Sequence, residues 1–183
     1  MKSAIKTLTS PGYYFKLFKN TVVSMFKLMG IPRDQKISPD FGEKIFLAVC
    51  GVNKCLYCTW LHTKTALVAG LDQADINKIL AGDFKNIKDE EAIAVLYAQH
   101  WADTNGNVST DARRRVLDKY GKHKTAHIEA NINAVFFGNL CSNTVFSYQI
   151  GSIADKGKVS VKITYLLALP VAALIKKGSG RKN

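Results

Sequence analysis

Acidic side chains are in short supply in this sequence. Fourteen Asp and Glu stand against 26 Lys and Arg, for a formal charge of +12 and a pI near 9.6. A balance of that kind favours anionic partners such as nucleic acid or acidic lipid. No zinc-finger spacing, RNP-like string or recognition-helix pattern accompanies the charge, so nucleic acid is not an expected partner and a basic surface on a soluble protein is the plainer reading. Cysteine is sparse too. Four residues, at 50, 55, 58 and 141, are too few for a small secreted scaffold held together by disulfides. Residues 1–10 have no apolar core, and Lys16 and Lys19 interrupt the next stretch, so no signal peptide is read. The expectation is a cytoplasmic, reducing compartment and a catalytic or metal-binding dithiol. No segment repeats another, and no stretch is rich in strand patterning, which points to an all-α fold. The longest apolar run, 163–175 with only Thr164 and Tyr165 polar, falls short of the ~18–20 residues that a spanning helix needs.

What is present suits one ordinary core. The chain has 183 residues, 47% hydrophobic and 22% charged, enough for a single domain and short for two. Residues 1–12 read as a loose lead-in ending at Pro11-Gly12. Residues 13–29 form a basic amphipathic helix, with Phe15, Phe18, Val22, Met25, Phe26 and Met29 recurring at helical intervals. Such a helix covers the core or a neighbouring subunit, or lies on an anionic membrane. Ser38 or Asp40 caps the next helix, with Pro39 at its start. Asp72 caps a short helix over 73–80, and Asp89 opens a longer one to residue 102. Ser109 or Thr110 caps a helix over 111–120, which Gly121 ends. Residues 124–149 read as one long helix, with Ile128, Ile132, Val135, Phe136 and Leu140 at its apolar intervals. The tail, 176–183, is basic and Gly-containing.

The chain is organised around Cys55-Leu56-Tyr57-Cys58-Thr59-Trp60-Leu61-His62. Its flanks are helical, and a helix over 54–69 should stop at Gly70, with Trp60, Leu61, Ala66 and Leu67 as core. Positions i and i+4 share a helix face, which places the imidazole of His62 within reach of the Cys58 thiol. Cys55 and Cys58 are close enough to bridge if the helix begins near them. A thiol at a helix N-terminus is biased toward thiolate. Cys55 lies nearer that end, so the dipole alone does not say which sulfur attacks. Glu43 sits twelve residues before Cys55, where it can orient His62 if the two helices pack together. A first-turn Glu also has a simpler role in complementing the helix dipole.

The pattern Glu43-x11-Cys55-x2-Cys58-x3-His62 resembles the alkylhydroperoxidase D / carboxymuconolactone decarboxylase family. Residues 48–58 resemble its helix-loop-dithiol segment. Residues 94–102 resemble its following long helix, and 137–144 a late helix of peroxidase-related members. The resemblance implies a helical bundle of antiparallel helices over 39–150, with the dithiol at the N-terminal end of a core helix. Residues 1–38 and 151–183 stand outside it, as an N-terminal lead-in with its amphipathic helix and a C-terminal apolar segment with its basic tail. It also implies reduction of hydroperoxides without a cofactor. Cys58 would be the peroxidatic thiol and Cys55 the resolving one, with His62 and Glu43 relaying the proton. A lipoyl-bearing, thioredoxin-like or small-thiol reductant would restore the dithiol, and a homo-oligomer, trimer or hexamer, is implied. The ring-opening decarboxylases of the family work without a redox dithiol, so that activity is not expected here.

Two other readings use the same residues. Cys55, Cys58 and His62 supply three zinc ligands, with Cys50, His100 or Cys141 as a fourth, although no distant paired motif is visible. A non-enzymatic, membrane-associated protein would make use of the basic helix at one end and the apolar segment at the other. A thioredoxin fold is disfavoured, because the residues that lead into Cys55 are helical in pattern rather than a strand. His100, His127 and Glu129 read as structural, and Cys50 as a small buried residue.

Overall fold

The computed structural model describes residues 5–179, and within them the chain is all helical. Seven helices follow in order: α1 (Pro11–Met29), α2 (Pro39–Asn53), α3 (Leu56–Val68), α4 (Gln73–Ala81), α5 (Asp89–Asp103), α6 (Thr110–Gln149) and α7 (Val159–Ser179). The punctuation residues act as their chemistry dictates. Ser10, Asp72 and Ser109 each accept a backbone N–H at their helix starts, and Gly82 closes α4 in the left-handed region. Gly121 kinks α6 at φ 71° and ψ 173°, a conformation open to glycine alone. The two helices expected on either side of it are thus both present, joined end to end within α6 across this non-helical residue.

α2 is the centre of the molecule. It packs against α3, α4, α5 and α6, and Ile45, Leu47, Val49 and Cys50 have no exposed surface. Contact on several sides explains why α2 is apolar nearly all round rather than striped. One contact is very close: a Cβ on Gly51 would lie 2.6 Å from the Leu80 carbonyl oxygen of α4. The second half of α6 supplies the facing layer through Ile128, Ile132, Phe136 and Leu140.

Both ends differ from the expectation. The lead-in is tied down rather than loose. Leu8 is buried, and its N–H donates to Thr144 Oγ1 at 2.9 Å. Lys6 Nζ donates to the Ala102 carbonyl at 2.6 Å, and Asn143 Nδ2 donates to the Lys6 carbonyl at 2.9 Å. Residues 1–4 lie outside the described residues, as does the part of the tail beyond residue 179. In α1 the buried residues are Tyr14 and Leu17. Thr21 and Ser24 hydrogen-bond Asn133. The apolar stripe of Phe15, Phe18, Met25, Phe26 and Met29 is left exposed. At the other end α7 is a 21-residue helix rather than a thirteen-residue segment. Val159, Ser160 and Val161 form its first turn.

Candidate active site

The local sequence explains why the dithiol sits where it does. α2 ends at Asn53, and Lys54 takes the left-handed conformation (φ 54°) as its C-cap. Cys55 is then the N-cap of α3, so only two residues separate the helices. The Cys58 N–H donates to Cys55 Sγ at 3.3 Å, so that sulfur fills the position that Ser or Asp usually holds at a helix start. The turn is anchored from α6, where Asn143 Nδ2 donates to the Asn53 carbonyl at 2.8 Å. Cys55 and Cys58 are joined as a disulfide, with Cα atoms 5.3 Å apart. The helix begins just where the spacing required it to for the two sulfurs to meet.

Packing of α2 on α3 brings Glu43 to His62. The imidazole Nδ1 lies 2.9 Å from Glu43 Oε2, both side chains being largely buried. The Phe46 ring braces the imidazole, with centroids 4.7 Å apart. With Nδ1 engaged by the carboxylate, Nε2 is the nitrogen that can meet a substrate. His62, Glu43 and Cys58 all line one cavity of about 1160 Å³. Cys55 does not line it, although both sulfurs are buried. The cavity walls are mostly apolar, from α3 (Leu61, Leu67), α6 (Val135, Gly138) and the end of α7 (Leu174, Ile175).

The remaining cysteines have a different environment. Cys50 lies on the core face of α2, where Asn139 Nδ2 donates to its sulfur at 3.4 Å. Burial pushes the Cys50 thiol up to about 12, the nearby Glu43 charge adds to the rise, and the Asn139 contact opposes it. Burial also pushes Cys141 up to about 12. Both are protonated thiols at neutral pH and poor nucleophiles. Among the described residues no three His, Cys, Asp or Glu side chains converge to hold a metal ion. His100 does not line the cavity. His127 accepts the Ile37 N–H at Nδ1, 2.9 Å away, and Glu129 pairs with Arg113 at 2.7 Å.

Sequence reasoning missed Asn139 and Phe46 as site residues. The run Asn139, Ser142 and Asn143 around Cys141 was the available signal: polar residues on an otherwise apolar helix. Asn139 reaches the cavity and Cys50, while Asn143 holds the dithiol turn. Trp60 and Leu67, expected in the core, are about half exposed, and only Ala66 of the four expected core positions is fully buried.

An all-helical protein with a cysteine pair at a helix start, one sulfur of it on a cavity beside a His–Glu pair, defines a class of dithiol proteins. Residues 18–84 match the model of the carboxymuconolactone decarboxylase family. The match runs from within α1 to just past α4 and contains all four expected site residues. No curated protein and no solved structure matches the chain.

Proposed function

We propose that the protein is a thiol-dependent peroxidase of the alkylhydroperoxidase D type. One observation carries this reading: Cys58 opens on the cavity beside His62, which Glu43 holds by its Nδ1, while Cys55 lies behind. The sulfur with access and a proton donor attacks, and the other resolves. In the reduced protein the Cys58 thiolate attacks the terminal oxygen of a hydroperoxide. An S–O bond forms as the O–O bond breaks, and His62 delivers a proton to the departing alkoxide, giving an alcohol and a Cys58 sulfenic acid. The Cys55 thiol then attacks the Cys58 sulfur, forming the disulfide and releasing water. A dithiol, or two monothiols, restores the pair by exchange and carries away the two electrons' worth of oxidation.

The test counts free thiols on the reduced, chelator-treated protein before and after one equivalent of an organic hydroperoxide. Loss of two thiols per chain, confined to Cys55 and Cys58, is expected. An unchanged count would overturn the reading. The buried Cys50 and Cys141 serve as internal controls that stay reduced.

A further inference from the structure

The positive charge of this chain is not spread along it. Residues 1–33 hold six Lys and Arg, residues 156–183 hold seven, and neither stretch has an Asp or Glu. Residues 34–155 hold thirteen basic and fourteen acidic side chains. The two ends therefore account for the whole positive excess, and they are the segments that contain α1 and α7. These two helices pack against each other. They also carry ten of the eighteen exposed large apolar side chains among the described residues, Met29 at 75% and Val159 and Leu174 at 70% being the extremes within them.

α7 is long and apolar enough to cross a membrane by length and composition, but one of its faces is already occupied. Thr164 and Ala168 are buried, and Leu167 and Val171 pack on the core. A helix seated on α6 in this way lies along the surface and offers only its outer face. A second copy of the chain is a poor occupant for that face. A two-fold interface sets a surface against itself, and here it would bring together lysines from both copies with no carboxylate in either helix to balance them. An anionic bilayer balances them: apolar side chains enter the acyl boundary, and lysines such as Lys16, Lys19 and Lys27 reach the headgroups.

The cavity joins this surface. The last turns of α7 form one wall, where Tyr57 donates its hydroxyl to the Ile175 carbonyl at 3.4 Å. Ile175 Cδ1 lies so near Gly138 that a Cβ there would be 3.1 Å away. Leu67 and Val68 of α3, with Leu174 of α7, are cavity residues that are also exposed, so the mouth is apolar outward as well as inward. A volume of about 1160 Å³ far exceeds what a small peroxide fills. We propose that α1 and α7 dock the protein on an anionic lipid bilayer, and that the cavity takes an acyl-chain hydroperoxide from that bilayer. The second half rests on the peroxidase reading above. Cys58 takes the terminal oxygen, a lipid alcohol remains, and the same dithiol reductant closes the cycle.

The experiment is cosedimentation of the full chain with phosphatidylcholine vesicles, with and without phosphatidylserine. Binding is expected only when phosphatidylserine is present, and it weakens as salt is raised. Replacing the exposed Lys16, Lys19 and Lys27 together by Gln should weaken it on the order of a hundredfold, since each lysine at an anionic surface is worth about fivefold. Equal binding to neutral vesicles, no binding at all, or a solution dimer that blocks binding would overturn the docking. A phospholipid hydroperoxide is then placed in both kinds of vesicle and thiol loss at Cys55 and Cys58 is followed. Faster loss with phosphatidylserine is expected, while cumene hydroperoxide in solution reacts at one rate in either case. Loss of equal speed in both vesicles would overturn the lipid substrate alone. Vesicle binding with no thiol loss to either peroxide would leave the docking standing and remove the peroxidase reading.

Discussion

Four buried cysteines fall into two pairs that differ in what surrounds the sulfur rather than in burial. Cys50 and Cys141 sit within helices, on faces turned to the core, and burial holds them as thiols with values near 12. Cys55 and Cys58 straddle a helix start, where the Cys58 N–H donates to the Cys55 sulfur, and Cys58 opens on a cavity with an imidazole. A cysteine's depth therefore does not assign its chemistry. Placement at a helix terminus, a proton donor and a path to solvent separate a reactive dithiol from a packing residue.

The comparison breaks most directly at Cys58. Cys58→Ser should reduce peroxide consumption to background, whereas Cys141→Ser should leave it intact. Equal rates for Cys58→Ser and the parent protein would show that the wrong sulfur has been chosen. Cys55→Ser should consume a single equivalent and stop, with a sulfenic acid on Cys58 that a dimedone-type reagent traps and mass spectrometry locates. Next in size is His62→Ala, expected to slow the reaction by about 10²-fold or more, the usual worth of an acid–base group. Glu43→Gln should cost less, because Glu43 acts through His62, and it should cost nothing further in the His62→Ala background. A further loss of rate in that double variant would mean that Glu43 acts apart from His62.

Much of this site was legible because its residues lie within one helical hairpin. Cys55, Cys58 and His62 are fixed relative to one another by helix geometry, and Glu43 needed only the packing of α2 on α3. The helix order, the caps at Asp72 and Ser109 and the break at Gly121 were readable from local chemistry. The terminal helices were not. Periodicity in α1 finds an apolar stripe, but the core takes Tyr14 and Leu17 and leaves the stripe outside. Periodicity shows that a helix has an apolar face, not which partner that face meets. The lead-in misled for a related reason. Its polar composition hid Leu8 and Lys6, whose contacts include residues more than ninety positions away.

A smaller effect probes the platform beneath both cysteine pairs. Gly51→Ala forces a Cβ against the Leu80 backbone at 2.6 Å, where no flexible side chain can yield. Overpacking of this kind costs about 1–3 kcal/mol, to be read as a lowered urea midpoint with an unchanged slope. The cost should fall on stability, with Glu43 and His62 still paired and the thiol count unaltered. A variant as stable as the parent would mean that α2 and α4 are not in close contact at this point.

The smallest expected effect sharpens the contrast from the buried side. A thiol whose value rises from the ordinary 9.0 to about 12 on folding binds its proton more tightly in the native state. Its contribution to stability is therefore complete below pH 9 and is lost as pH climbs toward 12. By about pH 10 the unfolded chain has ionised this group and the folded one has not, a loss of about 1.4 kcal/mol per thiol. Tyr13, Tyr14 and Tyr120 are raised by burial in the same sense and share the direction of the trend. Cys50→Ala separates the contributions, since the tyrosines and Cys141 remain. Urea midpoints at about pH 8 and pH 10 should converge in that variant by the share of one thiol, compared with the parent. If parent and variant lose the same stability over that interval, Cys50 ionises as readily folded as unfolded, and the distinction between an inert and a reactive pair fails on the inert side.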